Sequence, residues 1–148
     1  MNRKLVPQKE KYHKLYIEMA ESAANQSKAK KRKVGAVIVL PSGLIAIGWN
    51  GTAAGFHNDC EEWNSLDEGA ELVTRPEVIH AERNALDKLT RQGVSSEGAI
   101  LFVTTAPCME CAKSLANVGI KEVYYRDIQS NIKGLDFLSR ADIPTYKY

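Results

Sequence analysis

The 148-residue sequence lacks several things, and each absence narrows what the chain can be. It has three cysteines, Cys60, Cys108 and Cys111, an odd count that does not suit a disulfide framework. No apolar run approaches the roughly 20 residues of a membrane-spanning helix, so no membrane partner is expected. Residues 1–11 are charged and carry no apolar core of a secretory signal. Neither an internal repeat nor a low-complexity linker is visible. Aromatic residues make up only 7%, and 20 basic against 18 acidic residues leave a net charge of +2. What is present suits one ordinary domain spanning residues 1–148, because 44% apolar content can build a core. The compartment is expected to be reducing, and thiols kept there serve metal binding or chemistry more often than crosslinks.

Helical spacing of Tyr12, Leu15, Tyr16, Met19, Ala20 and Ala23 predicts a helix over residues 9–26 with one buried face. Residues 34–40 form an apolar, β-branched run that reads as a strand buried on both faces. The Pro41-Ser42-Gly43 turn joins it to a second strand over 44–49, giving a hairpin. Residues 50–77 are poorly periodic and read as a functional loop region with a short helix around 68–73. Further elements are a helix over 80–91, a strand over 99–105, and a helix from Pro107 to about Val118, stopped at Gly119. A strand over 121–125, a helix over 132–139 and a strand over 143–146 complete the chain. The fold class is therefore α/β: a mixed five-stranded sheet, antiparallel in its first pair and parallel later, with helices on both faces.

Chemistry concentrates in His80-Ala81-Glu82 and Pro107-Cys108-Met109-Glu110-Cys111. Cysteines three apart at a helix start can share one metal, and the positive helix end favours thiolates. One imidazole and two thiolates make three ligands, whereas a structural zinc site normally closes with four. Zn2+ held by His80, Cys108 and Cys111 would leave a position for water and acidify it. Glu82 is then placed to exchange protons with that water as a general acid–base. His80 and Glu82 lie about 200° apart round an ideal helix, so they converge only if the metal sits over the helix N-terminus. The alternative is a structural zinc knuckle with Cys60 or His57 as fourth ligand.

Together these segments resemble the H-x-E followed by P-C-x-x-C signature of zinc nucleobase deaminases, which implies that Glu82 carries a proton from the zinc-bound water to a ring nitrogen and on to departing ammonia. The segments around Ser27-Lys28, Val34 to Ile38, Gly48-Trp49-Asn50-Gly51-Thr52 with Gly55, and Ile79 to Ala85 extend the likeness. With Val103 through Lys113 and Gly119-Ile120-Lys121, the chain resembles the deoxycytidylate (dCMP) deaminase family over roughly residues 12 to 127. Trp49 stands where that family has tyrosine. The resemblance implies the three-layer cytidine-deaminase fold, dCMP as substrate, and dUMP and ammonia as products, feeding dTMP synthesis. It further implies a homohexamer, activation by dCTP, inhibition by dTTP, and Mg2+ accompanying the triphosphate. A cytoplasmic enzyme is implied, and the chain's compactness for the family fits a bacterial source or a phage protein acting in its host's cytoplasm.

For substrate, the resemblance and side-chain chemistry together mark Ser27 and Lys28 for the phosphate and Asn50 for a sugar hydroxyl, with Thr105 as a further substrate-binding candidate and Tyr125 either near the substrate or packed in the core. Five basic residues lie within 28–33, and their other reading is a solvated loop. Regulation is assigned by family pattern to Trp49, Gly51, Gly55 and Asp59 and to Lys88 with Arg91, which share a helix face. Asp59 is the candidate for magnesium, and His57 with Cys60 has the spacing of a second metal pair. Alternatives left open are a deaminase that also accepts dCTP, or one acting on cytidine, guanine or tRNA adenosine. A zinc-stabilised nucleic-acid-binding module belongs to another class. The acidic residues from Asp59 to Glu71 and the missing interleaved aromatics count against nucleic acid as a partner.

Overall fold

A computed structural model describes residues 10–129 and 131–148. The reading of the first nine residues, as charged and without a signal, lies outside the described residues. The elements in chain order are α1 (Glu10–Ala24), β1 (Gly35–Val39), β2 (Ile45–Trp49), β3 (Gly51–Thr52), β4 (Glu61–Trp63), β5 (Leu72–Thr74) and β6 (Val78–Ile79). They continue with α2 (Ala81–Arg91), β7 (Ile100–Thr105), α3 (Met109–Asn117), β8 (Glu122–Asp127), α4 (Lys133–Arg140) and β9 (Thr145–Lys147).

The main sheet has the order β2-β1-β7-β8-β9. β1 is antiparallel to β2 and β7, whereas β8 runs parallel to β7 and to β9. Parallel neighbours need crossovers, and α3 and α4 supply them. Strand alternation splits the core into two layers. Val37, Val39, Ile100 and Phe102 pack on Ile17 and Ala20 of α1. Ala36, Ile38, Leu101 and Val103 face the other way, with Ala85 and Leu89 of α2, Leu115 of α3 and Leu138 of α4. The molecule is thus three-layered, with a mixed sheet between helices. Among the described residues, no helix is long and apolar enough to cross a membrane.

Two glycines let backbones meet where the site is built. A Cβ on Gly48 would lie 2.3 Å from the Ala81 carbonyl oxygen and 2.6 Å from the Ala85 nitrogen. The first turn of α2 therefore rests directly on β2. A Cβ on Gly134 would lie 1.9 Å from the Pro107 carbonyl oxygen, so α4 presses on the approach to α3. Any larger residue at either position would push a helix N-terminus out of place.

Two expectations are corrected. No helix forms around 68–73; instead β4 and β5 pair antiparallel, Glu61 to Thr74, Glu62 to Val73 and Trp63 to Leu72. Gly69 takes φ +88 in the connecting turn, which stops a helix there, and Leu72-Val73-Thr74 suit a strand. Pro107, the expected helix start, also falls outside the helix, which begins two residues on at Met109. Cys108 is the N-cap, with extended backbone (φ −71, ψ 172) and a sulfur accepting from the Cys111 N–H.

Candidate active site

The N-termini of α2 and α3 point at one place, and a residue of the metal motif caps each. His80 is the N-cap of α2, with extended backbone (φ −68, ψ 155). Standing just outside the helix, it is released from the 100° step per residue. His80 and Glu82 thereby converge at the helix end. The His80 Nδ1 atom lies 3.3 Å from Cys111 Sγ and 3.6 Å from Cys108 Sγ. The ligand atoms of His80, Cys108 and Cys111 all lie within 4.8 Å of one another, the one such cluster among the described residues.

Electrostatics at this point favour a cation. The two thiols share one negative charge. Hydrogen bonds from Cys111 and His80 hold the Cys108 thiol down to about 3. Cys111 is pushed up, because it donates to Cys108 and is itself buried. Cys108 in turn raises the affinity of His80 for its proton, while burial works against it. A divalent ion would compete for all these protons, since coordination requires thiolates and a neutral imidazole. One nitrogen and two sulfurs fit zinc, and three protein donors fit a catalytic rather than a structural site. Glu82 is 4% exposed. Burial raises its pKa, and the neighbouring His80 opposes that rise. A carboxyl tuned upward can both accept and release a proton near neutrality.

A cleft of about 140 Å³ reaches this centre, with Lys31, Arg32, Asn50, Glu61 and Thr105 among its lining residues. The structure distributes the sequence-derived substrate candidates unevenly. Asn50 lines the cleft, but its amide also builds it: Oδ1 accepts from the Val34 N–H at 2.9 Å and Nδ2 donates to the Arg32 carbonyl at 2.8 Å. Thr105 is buried at the end of β7 and lines the cleft too. Ser27 is buried, and its hydroxyl is engaged internally, donating to the Asn50 carbonyl at 2.8 Å and accepting from the Ala29 N–H at 3.1 Å. Lys28 is exposed and is not among the lining residues. Tyr125 is half-buried against the core on the α2 side, and it too is absent from the lining.

The cations in the lining are Lys31 and Arg32, and the Arg32 Nη1 atom is buried without a hydrogen-bond partner among the described residues. Spacing could not separate these two from their neighbours in a run of basic residues. Glu61 and Cys60 were also missed as lining residues. They arrive through the β4–β5 pair, where a loop with a helix was expected.

The regulatory candidates do not form one cluster. Lys88 donates to the Ile47 carbonyl, and its Nζ stands 5.1 Å from the centre of the Trp49 ring, a cation–π arrangement. Arg91 is exposed in the last turn of α2. Gly51 pairs with Ile79 in the β3–β6 ladder. Gly55 (φ +92) and Asp59 lie exposed in the following loop. His57 pairs with Glu77 at 3.3 Å. Cys60 is buried, its thiol donating to the Asn58 carbonyl at 3.7 Å, and the two have no third metal donor grouped with them among the described residues.

A three-donor metal position with a proton-moving carboxylate at its side defines the class of the hydrolytic zinc deaminases. Comparison with known proteins sharpens this: residues 9–127 match the cytidine and deoxycytidylate deaminase zinc-binding region, and the chain belongs to that family. It is 39% identical over 114 residues to a deoxycytidylate deaminase of Schizosaccharomyces pombe, covering 74% of this chain and 35% of the relative. It is 30% identical to the deoxycytidylate deaminase of Enterobacteria phage T4, covering 84% and 82%. The chain spans between about a third and three fifths of the length of the first curated relatives it matches. Among solved structures, a dCMP deaminase of the cyanophage S-TIM5 in complex with dCMP and dUMP superposes with a TM-score of 0.85. That pair is 39% identical and covers 96% of this chain and 100% of the other.

Proposed function

We propose that this chain catalyses the hydrolytic deamination of dCMP, giving dUMP and ammonia and so feeding dTMP synthesis. The carrying observation is a buried Glu82 beside the His80–Cys108–Cys111 donors, at the inner end of a cleft lined by two cations. Zinc held by those donors supplies Lewis acidity and lowers the pKa of water. Glu82 moves the protons: from the attacking water to N3 of cytosine, then to the amine leaving C4. Arg32 and Lys31 meet the phosphate, and the buried, unpartnered Nη1 of Arg32 supports that role. Asn50 retains one N–H and one lone pair beyond its two loop hydrogen bonds, enough to orient a sugar hydroxyl. Thr105 flanks the base. Similarity to the cyanophage enzyme over nearly the whole chain supports the mononucleotide.

Regulation belongs to the same reading: dCTP activates and dTTP inhibits, with Mg2+ on the triphosphate and a homohexamer as the assembly. Its support is Lys88 over the Trp49 ring, with Arg91 one turn on. Three unpaired thiols and a nucleotide substrate suit the cytoplasm, in a cell or in a phage host.

The deciding experiment is an ultraviolet deamination assay on dCMP, dCTP, CMP, deoxycytidine and guanine, with and without added dCTP and dTTP. dCMP is expected to turn over fastest. Glu82→Gln should retain zinc and lose turnover by about 10²–10⁴-fold, the scale of general acid–base catalysis. Loss of zinc from that variant, or preference for guanine, would overturn the assignment.

A further inference from the structure

The mouth of the cleft holds an anion of the protein's own. Glu61, the first residue of β4, points its carboxylate at the basic loop between α1 and β1. Its Oε1 accepts from two successive backbone amides, Lys30 N–H at 2.8 Å and Lys31 N–H at 3.1 Å. Successive amides converging on one oxygen form a concave anion seat of the kind that takes phosphate oxygens. Lys30, Lys31, Arg32 and Lys33 surround this seat in sequence, so the basic loop offers two places for negative charge. Glu61 fills one. The other lies beside Lys31 and Arg32, whose Nη1 has no partner among the described residues.

The rest of the β4–β5 pair leaves that carboxylate facing the loop. Arg75 clamps the base of the hairpin: its backbone N–H donates to the Cys60 carbonyl at 2.8 Å, and its Nε to the Glu61 carbonyl at 3.3 Å. Its guanidinium pairs with the Glu62 side chain at 3.1 Å. Glu61 has no salt bridge among the described residues. Apart from the inner Glu82, Glu61 is the one carboxylate lining the cleft among the described residues.

We propose that Glu61 sets the phosphate number the cleft accepts, by occupying the amide seat next to the phosphate position and repelling the second and third phosphates of longer nucleotides. The inference rests on the dCMP reading above and deepens it. A monophosphate ends at Arg32 and Lys31. A triphosphate would carry its outer charges towards a seat already held by a carboxylate, and like charges placed together are strongly disfavoured.

The test compares dCMP and dCTP turnover in wild type and Glu61→Gln. Glutamine presents the same carbonyl oxygen to both amides, so the loop keeps its pin while the charge is gone. The ratio of kcat/KM for dCTP to that for dCMP is expected to rise about tenfold or more. Wild-type discrimination against dCTP should also weaken with added salt, because screening reduces like-charge repulsion at an exposed rim, and this second measurement needs no variant. An unchanged ratio in a zinc-loaded Glu61→Gln enzyme, or salt-independent discrimination, overturns the proposal and leaves the dCMP reading standing. A wild type that releases ammonia from neither nucleotide removes both.

Discussion

The metal side of the cleft and its outer rim are built by different means. The metal side stands on secondary structure. Two helix N-termini carry His80 and Cys108 as caps, rest on β2 and against α4 through Gly48 and Gly134, and lie over a sheet whose β7 is wholly buried. The rim is held by side chains bonded to backbone: Asn50 to residues 32 and 34, Ser27 to residue 50, Glu61 to residues 30 and 31. Backbone packing fixes positions to fractions of an ångström, as metal donors and a proton-moving carboxylate need. Polar pins hold a surface that can be retuned one residue at a time. The contrast divides labour: chemistry is set by the helix ends, and the choice of substrate by the rim.

The largest effect should come from breaking the metal side. Cys111→Ala is expected to lose nearly all zinc, falling from about one ion per chain, and to lower the unfolding temperature, because metal binding and folding are coupled. Metal content and thermal unfolding of the same sample check it. A fully metallated Cys111→Ala would erase the distinction between the two regions.

A smaller and different loss is expected at the rim. Asn50→Ala removes both loop hydrogen bonds but no zinc donor. Zinc content should stay whole, stability should fall by about 1–2 kcal/mol, and KM for dCMP should rise more than kcat falls. Steady-state kinetics and metal analysis on one preparation separate these outcomes. An equal loss of zinc would show that rim and metal centre are one cooperative unit.

The same division decides how much was legible in the sequence. The sheet and its helices follow local rules: apolar period and turn residues. Those rules act over a few residues and mark the Cys108–Cys111 pair at a helix start, whereas His80 and Glu82, 28 and 26 residues before Cys108, join it through the H-x-E with P-C-x-x-C signature. The rim depends on contacts between residues 16 to 31 apart, such as Asn50 with Val34 and Glu61 with Lys30. No local pattern distinguishes Arg32 from Lys28, or Glu61 from Glu62; the β4–β5 pairing makes the second distinction, and the poor periodicity of residues 50–77 does not announce that pairing. Pro107 shows a milder version. Proline is compatible with a helix start, yet the Cys108 sulfur, by capping, moved that start two residues on.

The smallest effect is expected on the face away from the cleft, where a control for both regions lies. Tyr124 of β8 stacks on Phe102 and on Tyr146, each with ring centres 5.0 Å apart, and its hydroxyl donates to Glu122 at 3.2 Å. Burial, reinforced by the Glu122 charge, pushes the phenol up from 10.0 to about 12. A pKa raised in the folded state means that the native protein holds a proton the unfolded chain has already released. This stabilisation is complete below pH 10 and is lost as pH rises towards about 12. Tyr124→Phe should therefore flatten the fall in stability across that alkaline window, read from urea unfolding at two pH values. Near neutral pH it should cost no more than about 1 kcal/mol. Because this ring lies on the α1 face of the sheet, with the sheet between it and the layer of α2 and α3, zinc content and dCMP turnover at neutral pH should match the wild type. A change in either would mean that the sheet transmits strain from its α1 face to the helix N-termini, and the two-region account would then need a third member.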